Sequence, residues 1–484
     1  MSDPRGRLAG SAALTSLATA ATMVSGGIFA LLIAARFGTS ARTDGFFAAY
    51  GVYTVAVLVA QSMRTTIVSR LVDRGFAGFN SFLGAVAVLS AVAGVVFVAL
   101  GAPLAALLTG GPADGARDVA TDTLLLLWPA ASLQLVAALG AAMLGVLDDF
   151  RRAALAYGAG SIASIAAFLL LAGPVGILAT PLSVLIGSAV TAVPLVRSVR
   201  AAGWSPGRPV GSWGGARLVV LGAGQVALAQ GLYLITIAAA AEGGQGAATT
   251  YAYGYFAHQL VLALVASSLS IVLAAPIAAT WDRDPASLRP HAWVVLRAGL
   301  LVLVPVVATA AFVGDDLGDL LLGNFSAAQV DQVVSVFLAL VPAIVVAQAL
   351  AVVLVGIYTL GRFVAATLVG LPVIALHWAL TRAVDATDLT ELALVASFGA
   401  VTFGLALSWV LFGAAAPAFA GGTLRELARV LVPAAACFAV AALLAGGLGD
   451  AAGLAAGLLA YGALVVATPP LRVSALQLLS AVRR

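Results

Sequence analysis

LLLLWPAASLQLVAALGAAMLGVLDDFRRAA, from Leu124 to Ala154, is the stretch whose reading decides the fold class. It carries no charge from Leu124 to Leu147 and then stops on two acids and two arginines. A helix needs roughly 20 apolar residues to cross a bilayer, so this is a membrane span with a sharp polar end. FLALVPAIVVAQALAVVLVGIYTLGRFVAA, from Phe337 to Ala366, repeats the layout. Each copy places a proline early (Pro129, Pro342), then a glutamine (Gln134, Gln348), a Gly-apolar pair (Gly145, Gly356) and an arginine at the start of the next helix. The two prolines are the candidate hinges. Six crossings separate the copies, so both halves keep the same orientation, the parallel-repeat arrangement in which a substrate path runs between the halves.

The rest of the chain agrees. Of its 484 residues, 62% are hydrophobic and 9% charged, with a mean hydropathy of +1.10. Soluble domains run near 45–50% apolar and about 25% charged, so a soluble fold is excluded, and disorder with it. Apolar runs predict about fourteen spans, near 8–36, 44–70, 79–108, 121–147, 153–172, 176–197, 216–240, 248–280, 292–313, 329–358, 363–382, 391–413, 424–446 and 451–471. The expected architecture is an all-α polytopic membrane protein. A six-helix lobe (1–200) and a linker (201–215) precede a second six-helix lobe (216–413) and a C-terminal helix pair with its tail (414–484). The uncharged run Leu8–Ala35 exceeds a signal-peptide core of about 7–15 residues and reads as a retained first helix.

Orientation follows from charge. The chain has 24 basic residues, all arginine. With the N-terminus inside, all but Arg36, Arg42, Arg117 and Arg382 fall at inner ends and loops, while 13 of the 20 acids fall outside. The positive-inside rule then places both termini in the cytoplasm. The arginines are scattered at span ends, a poor match to a nucleic-acid surface.

Polar side chains inside spans point to a cavity, because burying them in lipid is costly. Gln61 and Arg64 lie three apart on span two, Arg64 about two turns inside its cytoplasmic end. Arg64 either contacts a phosphate or snorkels to the interface. Tyr251, Tyr255 and His258 form one stripe on span eight with Gln259 beside it. His258 is either a cavity donor or bonded to a neighbouring helix. Gln230 and Tyr233 share a face of span seven, whereas Gln225 reads as an interhelical bond. Thr15, Thr19 and Thr22 on span one favour close packing over a sugar path.

Three segments carry a family resemblance: ARFGTSARTDGFFAAY (Ala35–Tyr50), GVLDDFRRAA (Gly145–Ala154) and YTLGR (Tyr358–Arg362). With them the chain resembles the MurJ/MviN-type lipid II flippases and, more loosely, the Wzx-type polysaccharide flippases. Both belong to the multidrug/oligosaccharidyl-lipid/polysaccharide (MOP) exporter superfamily. The resemblance implies two lobes around a cavity that opens to alternate sides, and a lipid-facing groove at spans thirteen and fourteen for a polyprenyl tail. The implied cargo is an undecaprenyl-pyrophosphate-linked saccharide, lipid II-like or a polysaccharide precursor, with the bilayer and cell-wall synthesis enzymes as partners. Asp44 is the outer acid of the first motif. The cavity arginines implied for the first two helices fall on Met23, Phe29 and Val57, and span eight has no arginine before Arg283.

Enzyme chemistry finds no support. The three histidines (His258, His291, His377) are far apart in sequence, without an HExxH pattern, and a chain without lysine has no P-loop. The single cysteine, Cys437, reads as a small buried hydrophobe. No cofactor or metal is expected. Two other functions are weighed beside the flippase: a drug antiporter of the same superfamily, for which Asp44 is the sole carboxylate near a cavity mouth, and a non-transporting scaffold of the cell envelope.

Overall fold

In the computed structural model, residues 26–110, 115–147, 149–208, 212–262 and 284–483 are described, and they are helical almost throughout. Among them, eleven helical stretches are long and apolar enough to cross a membrane. These coincide with the second to seventh and ninth to fourteenth predicted spans, Leu389–Gly446 covering two of them. The first and eighth predicted spans run partly outside the described residues. Their described parts are α1 (Gly26–Phe37) and α7 (Ala247–Leu262).

The first of two compact units comprises Met1–Ala252 and Gly370–Leu392. It holds α1, α2 (Ala41–Leu108), α3 (Ala116–Val146), α4 (Phe150–Leu171), α5 (Ala179–Ala201), α6 (Ser212–Glu242) and the first turn of α7. In place of the predicted loop between spans two and three stands one non-helical residue, Gly75 (φ 54°, ψ −133°), at which the two helices of α2 meet in a kink. Met63, Ile67 and Leu71 before the kink share a core cluster with Phe79 and Phe82 after it, and with Leu139 of α3 and Leu195 of α5. Helices α4 and α5 touch at Gly160 and Gly187, where a Cβ on either would overlap the other's carbonyl. Between membrane helices such small residues let backbones approach, because van der Waals contact replaces the hydrophobic drive. Beyond α5, Trp204 is buried edge-on to Phe79 (5.0 Å) and donates its indole N–H to Asn80 (2.9 Å), which anchors the start of the linker.

The second unit comprises Tyr253–Val369 and Ala393–Arg484. It contains α8 (Arg289–Leu321), α9 (Ala327–Ala339), α10 (Val341–Thr359), α13 (Ala416–Leu448), α14 (Asp450–Ala467) and α15 (Pro469–Arg483). Helices α11 (Phe363–Thr381) and α12 (Leu389–Phe412) each run through both units. Helix α8 is the hub, and α9, α10, α13, α14 and α15 all pack on it. Leu296 and Leu300 of α8 meet Ile344, Val430, Tyr461 and Leu471 in one core. Leucines such as Leu170, Leu320 and Leu443 stand about 80% exposed. Such a surface suits a bilayer and would aggregate in water.

Pro129 lies inside α3, whereas Pro342 occupies the first turn of α10. There α9 stops at Ala339 and a new helix starts at Val341. Proline has no N–H to give the preceding turn, so the helix restarts at it.

Candidate functional site

Two helix starts in the first unit converge on one carboxylate. Ser40 caps α2 through a reciprocal pair with Thr43: Ser40 Oγ accepts the Thr43 N–H (3.2 Å), and Thr43 Oγ1 accepts the Ser40 N–H (2.8 Å). That cap leaves Asp44 in the first turn, 6% exposed, with its carboxylate directed to the start of α7. Oδ2 accepts the Gly246 N–H (2.6 Å), and Oδ1 accepts both the N–H (2.8 Å) and the hydroxyl (2.6 Å) of Thr249. Gly246 has φ +87°, a backbone conformation that a side chain would strain. A carboxylate on orphan helix N–H groups also complements the helix dipole. With both oxygens engaged, Asp44 acts here as a cap rather than as a free acid.

Along α6, Gln230 donates to Thr54 Oγ1 of α2 (2.7 Å). Tyr233, 2% exposed, stacks on Tyr251 of α7 with ring centroids 6.3 Å apart. One turn on, His377 Nε2 lies 3.0 Å from both Thr236 Oγ1 and the Leu232 carbonyl. The carbonyl only accepts, so the ring proton sits on Nε2. On α3, Gln134 donates to Ser188 of α5 (3.1 Å). Its counterpart in the second copy behaves differently. Gln348 is fully buried in the second unit against Gly299, and neither end of its amide has a hydrogen-bond partner among the described residues. Gln225 has none there either.

Tyr255, His258 and Gln259 come together in the second unit. The Tyr255 and His258 rings lie 5.4 Å apart, and Gln259 Nε2 donates to the Tyr255 hydroxyl (2.5 Å). His258 is 5% exposed, and neither ring nitrogen is hydrogen-bonded among the described residues. An unmet buried polar group costs roughly 1–3 kcal/mol, so His258 is poised for a polar partner. The expected site residues therefore divide: Asp44, Gln230 and Tyr233 in the first unit, Tyr255, His258 and Gln259 in the second. Gln61 and Arg64 fall in α2, but their side chains lie outside the described residues, as do Met23 and Thr15, Thr19 and Thr22. Phe29 and Val57, two positions of the implied arginines, pack against a cluster of Tyr53, Leu127, Ala130 and Val184. Phe29 also meets Phe168 edge-on at 5.3 Å.

Two motif segments turn out to be turn hardware. Gly361 (φ +66°) ends α10, and the Arg362 guanidinium donates to the Val410 (2.9 Å) and Leu411 (3.1 Å) carbonyls near the end of α12. Asp149 caps α4 by accepting the Arg152 N–H (3.2 Å) and pairs with its guanidinium (3.1 Å).

Sequence reasoning missed Glu426. It lies buried between Arg429 of its own helix (2.5 Å) and Arg297 of α8 (3.5 Å). Its sequence signal was an acid within one turn of Arg425 and Arg429. It missed Thr249 as well, signalled by the glycine-rich GGQG before ATT. Outside the membrane spans, Asp385 accepts the backbone N–H and hydroxyl of Thr387 (2.9 Å each), which holds its carboxyl below the usual range. Among the described residues, no three His, Cys, Asp or Glu side chains are grouped to hold a metal ion.

Compared with known proteins, residues 33–459 match the family model described as "Lipid II flippase MurJ". Among solved structures, the chain is similar to a lipid II flippase MurJ in an inward closed conformation. The TM-score is 0.74 at 17% identity, over 94% of this chain and 98% of that one. A MOP superfamily transporter from Pyrococcus furiosus gives a TM-score of 0.62 at 15% identity, over 87% and 96%. An inward-facing multidrug resistance MATE family transporter gives 0.61 at 14% identity, over 84% and 96%. At these identities the likenesses speak for the fold. No curated protein matches the chain.

Proposed function

The chain belongs to the MurJ lipid II flippase family, and from that premise we propose that it moves an undecaprenyl-pyrophosphate-linked saccharide across the cytoplasmic membrane by alternating access. Membership makes it a multi-pass membrane transporter and not an enzyme. The observation that carries the proposal is the family match over residues 33–459.

The residues receive roles that suit this cargo. Arg64 takes the diphosphate, since a guanidinium grips phosphate through two parallel hydrogen bonds. His258, with neither nitrogen hydrogen-bonded among the described residues, bonds saccharide hydroxyls alongside Tyr255 and Gln259. Gln230 and Tyr233 are assigned to the cargo path as well. Asp44 latches the first turn of α7 in one state and releases it in the other, with Pro129 and Pro342 as hinges. Two six-helix lobes (1–200 and 216–413), the linker 201–215 and the C-terminal pair (414–484) form the moving parts, with both termini cytoplasmic as the arginine asymmetry supports. Cell-wall synthesis enzymes supply and consume the cargo. Apolar residues at Phe29 and Val57 leave fewer cations for the diphosphate, so the cargo class is polyprenyl-linked saccharide, with lipid II as its first member to test.

The test is depletion and rescue. In cells whose own lipid II flippase is shut off, expression of this chain restores growth and the appearance of lipid II in the outer leaflet. Failure to rescue at normal membrane abundance excludes lipid II. Failure of the reconstituted protein to move any polyprenyl-diphosphate saccharide across vesicles excludes the flippase reading.

A further inference from the structure

In the first unit, the ends of α1 and α4 enclose a groove of about 440 Å³, a volume within the range of ligand pockets. The arginine asymmetry places this end of the unit on the outer side of the membrane. Helix α1 contributes Leu32 and Arg36 to the groove, and α4 with the turn after it contributes Leu169, Leu170, Gly173 and Pro174. Phe168 lines it too, 1% exposed and edge-on to both Phe29 (5.3 Å) and Phe37 (5.9 Å) of α1. This aromatic clamp holds α1 against α4, so the groove is preformed.

Arg36 is the one charged residue of the lining, and no other lining residue has a polar side chain. It is exposed, and its guanidinium has no hydrogen-bond or ion-pair partner among the described residues. It is also one of the four arginines that fall on the outer side, where positive charge is scarce. A cation there without a counter-charge from the protein calls for an anion from the membrane. Leu169 and Leu170, 61% and 77% exposed, continue the apolar wall toward the acyl chains. An arginine lays its stem along apolar surface and reaches a headgroup phosphate with its tip. The fitting ligand therefore joins an apolar chain to a phosphate of low charge. A phosphodiester brings a single negative charge, which one guanidinium meets, whereas a prenyl diphosphate brings more than Arg36 balances.

We propose that this groove is a binding site for an anionic phospholipid of the outer leaflet. Its headgroup phosphate pairs with Arg36, and one acyl chain lies between α1 and α4 against Leu32, Phe168 and Leu169. The bound lipid bridges the outer ends of the two helices. The site shares no residue with the cargo path assigned above and stands independently of that reading.

The test is photocrosslinking of the full chain in phosphatidylcholine vesicles. These hold a trace of phosphatidylglycerol or of phosphatidylcholine carrying a diazirine in one acyl chain, and peptide mass spectrometry maps the adducts. One interfacial arginine is worth about fivefold in affinity. The phosphatidylglycerol probe therefore labels wild-type peptides covering 32–36 and 168–174 about fivefold more than the phosphatidylcholine probe, and added salt narrows the difference. Arg36→Gln abolishes the preference, and Arg36→Lys keeps most of it. A Cβ at Gly173 would meet nothing within 4 Å, so Gly173→Leu fills the groove without a clash. It lowers labelling by both probes with Arg36 in place, and it carries the test should Arg36→Gln fail to fold. Equal labelling by the two probes in wild type, an unchanged preference in Arg36→Gln, or unchanged labelling in Gly173→Leu overturns the proposal. So does displacement of the phosphatidylglycerol probe by an equal concentration of a short prenyl diphosphate, which would assign the groove to cargo.

Discussion

Asp44 and Thr249, 205 residues apart in the chain, are joined through one oxygen: Asp44 Oδ1 accepts both the backbone N–H and the hydroxyl of Thr249. This ties the first turn of α2 to the first turn of α7, the helix that carries Tyr255, His258 and Gln259. A residue expected at a cavity mouth thereby acquires a mechanical role, the holding of a helix start.

Asp44→Ala removes three hydrogen bonds at once and lowers stability in detergent by about 2 kcal/mol. Asp44→Asn keeps one acceptor and costs about half as much. Amide exchange at Gly246 and Thr249 accelerates in both variants; protection equal to wild type would show that the carboxylate does not hold α7. Drug efflux unchanged by Asp44→Asn would remove the antiporter reading.

His258→Phe keeps the volume of the ring and loses both nitrogens. We expect normal membrane abundance and at least a tenfold drop in cargo transport, read in the depletion and rescue assay. Full transport would reduce His258 to a space filler.

Arg362→Ala separates motif from mechanism. Loss of the contacts to the Val410 and Leu411 carbonyls lowers stability by about 1 kcal/mol, seen as a fall in Tm, while transport per inserted molecule stays at the wild-type value. A transport defect at full stability would give this arginine a role in the cycle.

Glu426→Gln leaves Arg297 without its counter-charge. Removing one partner of a fully buried pair costs roughly 3–5 kcal/mol. The Arg297 side chain is 20% exposed and that of Arg429 54%, so solvent screening brings the expected loss to about 1–3 kcal/mol. Chemical denaturation of the solubilised protein measures it, and Arg297→Met/Glu426→Leu recovers most of the loss. No loss in the single variant would mean that the pair contributes nothing to the packing of α13 on α8.

Parts of the candidate site were legible in the sequence and parts were not. Gln230 and Tyr233 were readable as neighbours because three residues nearly complete a helical turn. Tyr255, His258 and Gln259 were readable for the same reason, and all three meet as spacing implies. The partners of these groups were not readable. Nothing local to Gln230 names Thr54, and nothing in the matching positions of Gln134 and Gln348 says that one is bonded and the other has no hydrogen-bond partner among the described residues. Gly75 likewise gave no sign that the loop between two spans would shrink to a single kinked residue.

The sequence by itself determined that this chain lives in a membrane and where most of its long apolar helices lie. Crossing depends on a sum over neighbouring residues, and every segment in lipid must satisfy its own backbone. Tertiary structure alone decided that Asp44 caps a helix 205 residues away, that Glu426 sits between two arginines, and that Phe29 and Val57 join an apolar cluster. Those outcomes depend on the rotation and depth of each helix against its neighbours. Both are set by contacts between distant segments, which no sum along the chain contains.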